Sequence, residues 1–292
     1  MEQKQWDNEF VWIMLSVMFS SPNRRLWEVL SYYESAAELY DDIIHSRCGF
    51  MSDEEIARAN ACNENQGLAI LRSCKAKGIS VLCYDDGRYP KKLKKLACPP
   101  AVIYYVGDIG VPERGRSVAV IGARKASDYS LRVAAKFSYA LAAKGLCVIS
   151  GLADGIDQQA HISAIEAGGT TCAVLGCGID YDYPHNSAAL KAEIAKHGVV
   201  ISEYYPLSRP AKENFPERNR LVSGLSDGVL VVQAGERSGT LNTVNHALEQ
   251  SKEVFVIPAH DILSPDYISQ SELIRDGANE VYLPEQIIRS IG

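Results

Sequence analysis

Six short apolar runs recur through the latter part of the chain: Val118–Ile121, Cys147–Ile149, Cys172–Leu175, Val199–Ile201, Val229–Val232 and Val254–Ile257. Strands written as continuous apolar text, rather than as alternating apolar and polar residues, are buried on both faces, and a sheet reaches that state when helices cover both of its sides. Helical patterns fill most of the intervals, as at Val133, Phe137, Ala140 and Leu141, which fall at i, i+4, i+7 and i+8. Strand and helix in succession predict an α/β fold with a doubly wound, mostly parallel sheet.

The text before residue 113 differs. Phe10, Ile13, Met14, Val17 and Met18 mark an amphipathic helix, and helical pattern continues to about Lys77, so residues 1–77 are expected to form a small all-α accessory domain. Then come a strand at Ile79–Cys83, the turn Asp85-Asp86-Gly87, the basic run Lys91-Lys92-Leu93-Lys94-Lys95, Pro99-Pro100 and a strand at Val102–Val106. Residues 78–112 are expected to be a connector packed on the sheet domain of residues 113–292.

Charge narrows the function. Thirty Lys and Arg against 36 Asp and Glu give a net charge of −6, which excludes a globally basic nucleic-acid binder and leaves room for a local basic groove. Residues 1–85 carry 8 basic and 13 acidic side chains, 86–112 carry 5 and 2, and 113–292 carry 17 and 21. An anionic partner must therefore be met by clustered cations and backbone amides. The eight cysteines form no CxxC pair and several lie inside apolar runs, so they read as reduced core residues of a cytoplasmic protein. The longest apolar run, Phe10–Phe19, is too short to span a bilayer and its flank of Glu2, Lys4, Asp7 and Glu9 is net acidic, so neither a membrane span nor a signal peptide is expected.

In a doubly wound sheet, ligands bind outside the carboxyl ends of the strands. There the sequence concentrates glycine, serine and arginine: Gly122-Ala123-Arg124 after the first run, Ser150-Gly151-Leu152-Ala153-Asp154-Gly155 after the second, Gly176-Cys177-Gly178 after the third, and Gly235-Glu236-Arg237-Ser238-Gly239-Thr240 after the fifth. Glycine lets the backbone approach a phosphate, and the free amides of a first helical turn donate to its oxygens. The plain alternative is that each loop is a tight strand-to-helix turn. Four such loops at one sheet edge, two of them with an arginine, favour a phosphate-bearing ligand.

Named catalytic and nucleotide motifs fail. Gly176-x-Gly178 has Tyr181 where a third glycine would stand, and no GxxxxGK[ST] occurs. Gly224-Leu225-Ser226-Asp227-Gly228 spells GxSxG, but a helix precedes it and a strand follows, the reverse of a nucleophile elbow, so Ser226 reads as a helix-end residue. Asp157 and His161 stand at i, i+4 without a third metal ligand, which favours a local hydrogen bond pinning the helix start; His260-Asp261 reads as structural. No catalytic residue, metal site or cofactor is expected. The densest cationic segment of the sheet domain, Arg209 to Arg220, contains Phe215 and has Pro216 suited to a first helical position. Arg218 and Arg220 would lie about 200° apart around that helix, so one is expected on phosphate and the other in an internal ion pair. An aromatic among cations suits a single strand, whose bases stack while its phosphates track positive charge.

The segments GISVLCYDDGRYPKKLKKLACPPAVIYYVGD, VAVIGARKAS, VISGLADGIDQQAH, VLGCGIDYDYPHN, ISEYYP, NFPERNRLVSGLSDGVLVVQA, RSGTLNTVNHAL and LIRDGA, in this order between about Gly78 and Ala278, resemble the DNA processing protein A (DprA, or Smf) family. The resemblance implies an extended Rossmann-like domain that binds single-stranded DNA without catalysing a reaction, forms a homodimer, and passes the strand to the RecA recombinase in natural transformation. Position by position it implies DNA contacts from Arg124, Ser150, Gly151, Lys212, Arg218, Asn219, Ser238, Gly239 and Thr240, with His185 where many relatives place lysine. Gly122, Phe215 and Arg220 complete the candidate set. Asp154 stands where relatives usually carry arginine or lysine, Gln233 replaces a common glutamate, and Ala259 and Ser269-Gln270-Ser271 replace glycine-rich text. Ser21-Pro22-Asn23-Arg24-Arg25 lacks the glycines of a helix-hairpin-helix turn, so DNA binding is not assigned to the N-terminal helices.

Two rivals differ in class. A LOG-like nucleoside monophosphate phosphoribohydrolase shares the sheet and a glycine-rich phosphate loop, but its PGGxGTxxE text carries a catalytic glutamate, and here Thr240 is followed by Asn242 and Asn245. A nucleotide-binding sensor would keep the pocket and need no recombinase.

Overall fold

The computed structural model describes residues 6–236 and 238–291. Five helices come first: α1 (Asn8–Phe19), α2 (Arg24–Leu30), α3 (Ala36–Ile44), α4 (Asp53–Ala61) and α5 (Glu64–Ala76). Their starts are written locally. The Asp7 carboxylate accepts from the Glu9 amide, and Ser52 and Glu55 form a capping box at α4, satisfying amides that have no partner within a helix. Helix α1 is buried along Phe10–Ser16 and forms the centre of the helical core.

The chain then enters the sheet with β1 (Ser80–Cys83), the short helix α6 (Lys91–Lys94) and β2 (Val102–Gly107). The alternating part follows as β3 (Ser117–Gly122), α7 (Asp128–Ala143), β4 (Cys147–Ser150), α8 (Ile156–Glu166), β5 (Thr171–Leu175), α9 (Ala188–His197), β6 (Val199–Ser202), α10 (Asn214–Leu225), β7 (Gly228–Gln233), α11 (Thr240–Glu249) and β8 (Glu253–Val256). Helix α12 (Ile268–Arg275), β9 (Asn279–Glu280) and α13 (Pro284–Ser290) close the described chain. The sheet has the order β1-β2-β6-β5-β4-β3-β7-β8-β9. The pairs β1–β2 and β2–β6 are antiparallel and the others parallel. The expected α/β fold with a mostly parallel sheet behind a helical N-terminal region is thus present, and the six apolar runs fall on the strands β3 to β8, with Ile257 alone just past the end of β8.

Successive strand side chains point to opposite faces. In β2, Ile103 and Tyr105 join the core shared with α10 and α11, whereas Val102 and Tyr104 join the helical core around α1. The segment 78–112 therefore supplies two strands of the sheet itself, and the N-terminal helices pack on that end of it. Further ties reinforce this: Lys77 Nζ lies 2.5 Å from Asp180, Arg24 lies 3.0 Å from Glu217 on α10, and the Trp27 indole N–H donates to the Pro99 carbonyl at 2.9 Å. All eight cysteines are free thiols, six of them buried. No helix among the described residues is long and apolar enough to cross a membrane.

Between β3 and β7 the chain reverses its direction of travel across the sheet: β4, β5 and β6 extend to one side of β3, and β7, β8 and β9 to the other. The loops leaving these two strands diverge and open a crevice. At the opposite end of the same strands, Lys92 Nζ donates to the Pro112 carbonyl, Ser117 Oγ and the Asp227 carboxylate, stapling α6 to the start of β3 and β7. Burial pushes the Asp227 carboxyl up, but the Lys92 ammonium and the Ser117 amide outweigh it and hold the group below its ordinary range. This contribution is complete above the unfolded carboxylate pKa of about 3.9 and is lost as pH falls through the lower folded value. Lys92→Met should lower the unfolding free energy at neutral pH by about 1–2 kcal/mol. In denaturant titrations from neutral to acid pH, that deficit should shrink below about pH 4.

Candidate nucleic-acid interface

The crevice is a groove of about 510 Å³ where the carboxyl ends of β3, β4 and β7 meet the first turns of α8, α10 and α11. Its wall contains Gly122, Arg124, Gly151, Lys212, Phe215, Arg218, Asn219, Ser238, Gly239 and Thr240, together with Asp157 and Tyr183. Ten of the thirteen candidate residues thus share one cavity although they come from four separate stretches of chain. Arg237, in the fourth glycine-rich loop, lies outside the described residues.

Arg218 organises the wall. The side chain is buried, and its Nη1 donates to the carbonyl of Gly151 at 2.6 Å and to that of Val174. Asp157, the first acidic residue of α8, accepts from the amides of Gly151 at 3.1 Å and Ala153 at 3.3 Å. The peptide groups around Gly151 are therefore held from both poles, the carbonyl by a guanidinium and the amide by a carboxylate. A Cβ on Gly151 would stand 2.5 Å from Arg218 Nη2, so a larger residue there would have to push the guanidinium aside. Burial raises the Asp157 pKa, with the charge of Arg218 opposing; burial likewise lowers that of Arg218, with Asp157 opposing. The two charges favour one another across the loop without an ion pair within 4.0 Å between them. Leu152 holds a positive φ of 61° within this loop, a conformation that costs a non-glycine residue about 1 kcal/mol or more and that the surrounding bonds sustain.

The exposed cations are arranged differently. Arg124 sits over the Phe215 ring at 5.4 Å from its centroid, Arg218 lies at 6.0 Å from the same centroid, and Tyr183 packs beside it at 5.2 Å. Among the described residues, no carboxylate lies within 4.0 Å of the charged ends of Arg124 or Lys212. Since Arg218 is balanced by Asp157, these two supply the uncompensated positive charge of the groove. The first turn of α11 adds the positive end of a helix dipole, with Ser238 Oγ accepting from the Thr240 amide. A Cβ at Gly239 would meet nothing within 4 Å, so packing does not require glycine there, and the space above it is open to a ligand.

Three candidates lie outside the groove wall. Arg220 points away from it and forms a buried two-pronged ion pair with Glu203 at 2.7 and 2.8 Å, as helical geometry required of one of the two arginines. Ser150 is buried, with its hydroxyl donating to the Val120 carbonyl at 2.6 Å. It joins β3 to β4 and has no free face. His185 is exposed but stands apart from the lining. Helix α10 begins at Asn214, so Pro216 is its third residue rather than its first; the opening turn tolerates this because its amides have no intrahelical acceptor.

The remaining readings resolve locally. Ser226 caps the end of α10, with its hydroxyl donating to the Ser223 carbonyl. Asp157 does pin the start of α8, but His161 is not its partner. Thr171 Oγ1 gives its proton to the Val148 carbonyl and so accepts from His161 Nδ1 at 2.6 Å. Burial pushes the His161 pKa down to about 3, which keeps the ring neutral. Among the described residues no group of three His, Cys, Asp or Glu could hold a metal ion. Tyr183 was not singled out from the sequence; the VLGCGIDYDYPHN segment that carries it was the available signal.

The family model described as DNA recombination-mediator protein A matches residues 80–292. The chain belongs to this family. It is 36% identical over 222 residues to DNA processing protein DprA of Bacillus subtilis, covering 76% of this chain and 74% of that one. It is 38% identical over 208 residues to protein Smf of Escherichia coli, of which the match spans 55%. The fold is similar to that of DprA from Streptococcus pneumoniae, with a TM-score of 0.78 at 28% identity over 98% of both chains. A DprA from Helicobacter pylori, whose structure addresses its single-stranded DNA binding mode, aligns at a TM-score of 0.66 with 32% identity, over 73% of this chain and 95% of that one.

Because Arg218 supports the wall from inside whereas Arg124 stands on it, their removal should separate stability from binding. Arg218→Ala strips the Gly151 and Val174 carbonyls of their charged donor and should cost about 1.5–3 kcal/mol of stability in urea titrations. Arg124→Ala should change stability by no more than about 0.5 kcal/mol.

Proposed function

We propose that the groove binds single-stranded DNA and that the protein presents the strand to the RecA recombinase without altering a covalent bond. The observation that carries this reading is the pair of unpaired cations, Arg124 and Lys212, lining one groove with the Phe215 ring and the first turn of α11. A single strand needs charge for its phosphates and an aromatic face for its bases. The relation to the Helicobacter pylori protein, named for single-stranded DNA binding, supports the same ligand. The groove-lining carboxylate, Asp157, accepts the Gly151 and Ala153 amides on one oxygen, which ties it to the loop it supports. The same reading places the protein in the cytoplasm as a homodimer.

Fluorescence anisotropy with an unstructured oligonucleotide tests the proposal. If about four phosphates are neutralised, log K should fall against log salt with a slope near −3. Arg124→Ala and Lys212→Ala should each weaken binding and reduce that slope by about 0.7. Salt-insensitive binding, or variants equal to the parent, would refute the assignment. Incubation with nucleoside monophosphates should release no free base; release would favour the hydrolase. Sedimentation of the full chain tests the homodimer, and RecA filament growth on strands pre-coated with single-strand binding protein tests the hand-over.

A further inference from the structure

The loop between β5 and α9 carries Tyr183 to the groove wall, where its ring packs 5.2 Å from that of Phe215. A lysine in an uncommon setting holds that loop. Lys191, in the first turn of α9, is only 8% exposed, although an ammonium is costly to withdraw from water. Among the described residues no carboxylate lies within 4.0 Å of its charged end. Its Nζ instead donates to the carbonyl of Ile179 at 3.1 Å and to that of Tyr181. The Tyr181 carbonyl also accepts from the Tyr183 amide at 3.0 Å, so one oxygen joins the ammonium to the backbone of the groove residue. On the other side of the loop, the Asp182 carboxylate accepts from the amides of Asn186 at 2.9 Å and Ala188 at 3.1 Å. Tyr183 thus stands between two charged clamps, one on carbonyls and one on amides.

Lys191 does not line the groove, and its ammonium is turned to main-chain oxygens, so it offers nothing to a phosphate. Its effect is conformational. Without it two carbonyls lose their charged donor and the loop is free to carry the ring off the wall, leaving an arriving strand to order it again. We propose that Lys191 is a positioning residue for strand binding, which holds Tyr183 beside Phe215 as a second aromatic face on which a base stacks. The inference rests on the single-strand reading above. A buried lysine acting in this way differs from Arg124 and Lys212 in one measurable respect: it adds affinity without adding to the salt dependence.

The test is a double-mutant cycle read by anisotropy on a strand of about twelve thymidines, a length within the span of such sites. Lys191→Met should weaken binding about tenfold, within what one stacked base supplies. The slope of log K against log salt should stay at the parent value, whereas Lys212→Ala lowers it by about 0.7. Tyr183→Ala should weaken binding by a similar factor, and the double variant should bind within about twofold of Tyr183→Ala alone, because the lysine acts through the ring. Circular dichroism melts establish that each variant is folded at the assay temperature; if Lys191→Met is not, Lys191→Gln, which keeps an N–H donor, takes its place in the cycle. Lys191 or Tyr183 variants equal to the parent, a lysine effect undiminished in the Tyr183→Ala background, or a slope lowered as for Lys212→Ala would overturn the inference and leave the single-strand reading intact. Failure of the parent to bind any strand would overturn that reading, and this inference with it.

Discussion

The groove depends on one contact: the Arg218 guanidinium against the Gly151 and Val174 carbonyls, with Asp157 drawing on the Gly151 amide from the other side. These bonds fix the ends of β4 and β5 relative to α8 and α10. A flexible glycine loop would have to lose conformational entropy when a ligand arrived; this one has lost it during folding. The cost of burying two charges is offset by their mutual attraction and by hydrogen bonds to the backbone.

An acidic protein can still present a positive surface if its cations are divided between internal and external duties. Arg220 is committed to Glu203, Lys92 to Asp227 and Arg218 to the loop, so their charges serve the fold. Among the described residues Arg124 and Lys212 have no such commitment; Arg124 stands over the Phe215 ring, and both line the groove with the first turn of α11. Net charge is therefore a poor guide to what this surface attracts, and local pairing a better one.

Much of this was legible in the sequence, for physical reasons. Strands buried on both faces must be apolar throughout, so β3–β8 announced themselves; β9, two residues long, carries no periodicity to read. The 3.6-residue helical repeat required Arg218 and Arg220 to part company. It did not say which would turn inward, nor that Arg218 would be spent on carbonyls, because main-chain acceptors leave no mark in side-chain text. Ser150 lies off the groove wall for a related reason: its hydroxyl is satisfied by a neighbouring strand that only the folded sheet brings near. The glycine-rich loops were recognisable by composition, yet their glycines differ in purpose. Gly151 yields to an arginine, whereas Gly239 yields to empty space.

The two ion pairs between the N-terminal helices and the sheet domain bear on how the molecule can be dissected. Lys77 holds Asp180, whose carboxylate also accepts from the Leu207 amide, in the same loop that carries Tyr183 to the groove. Arg24 holds Glu217, two residues beyond Phe215 on α10. No described residue before position 121 lines the groove, yet its aromatic side is braced from there. Cutting the chain back to its sheet would not subtract an idle appendage; it would unclamp the jaw in which the ring is mounted.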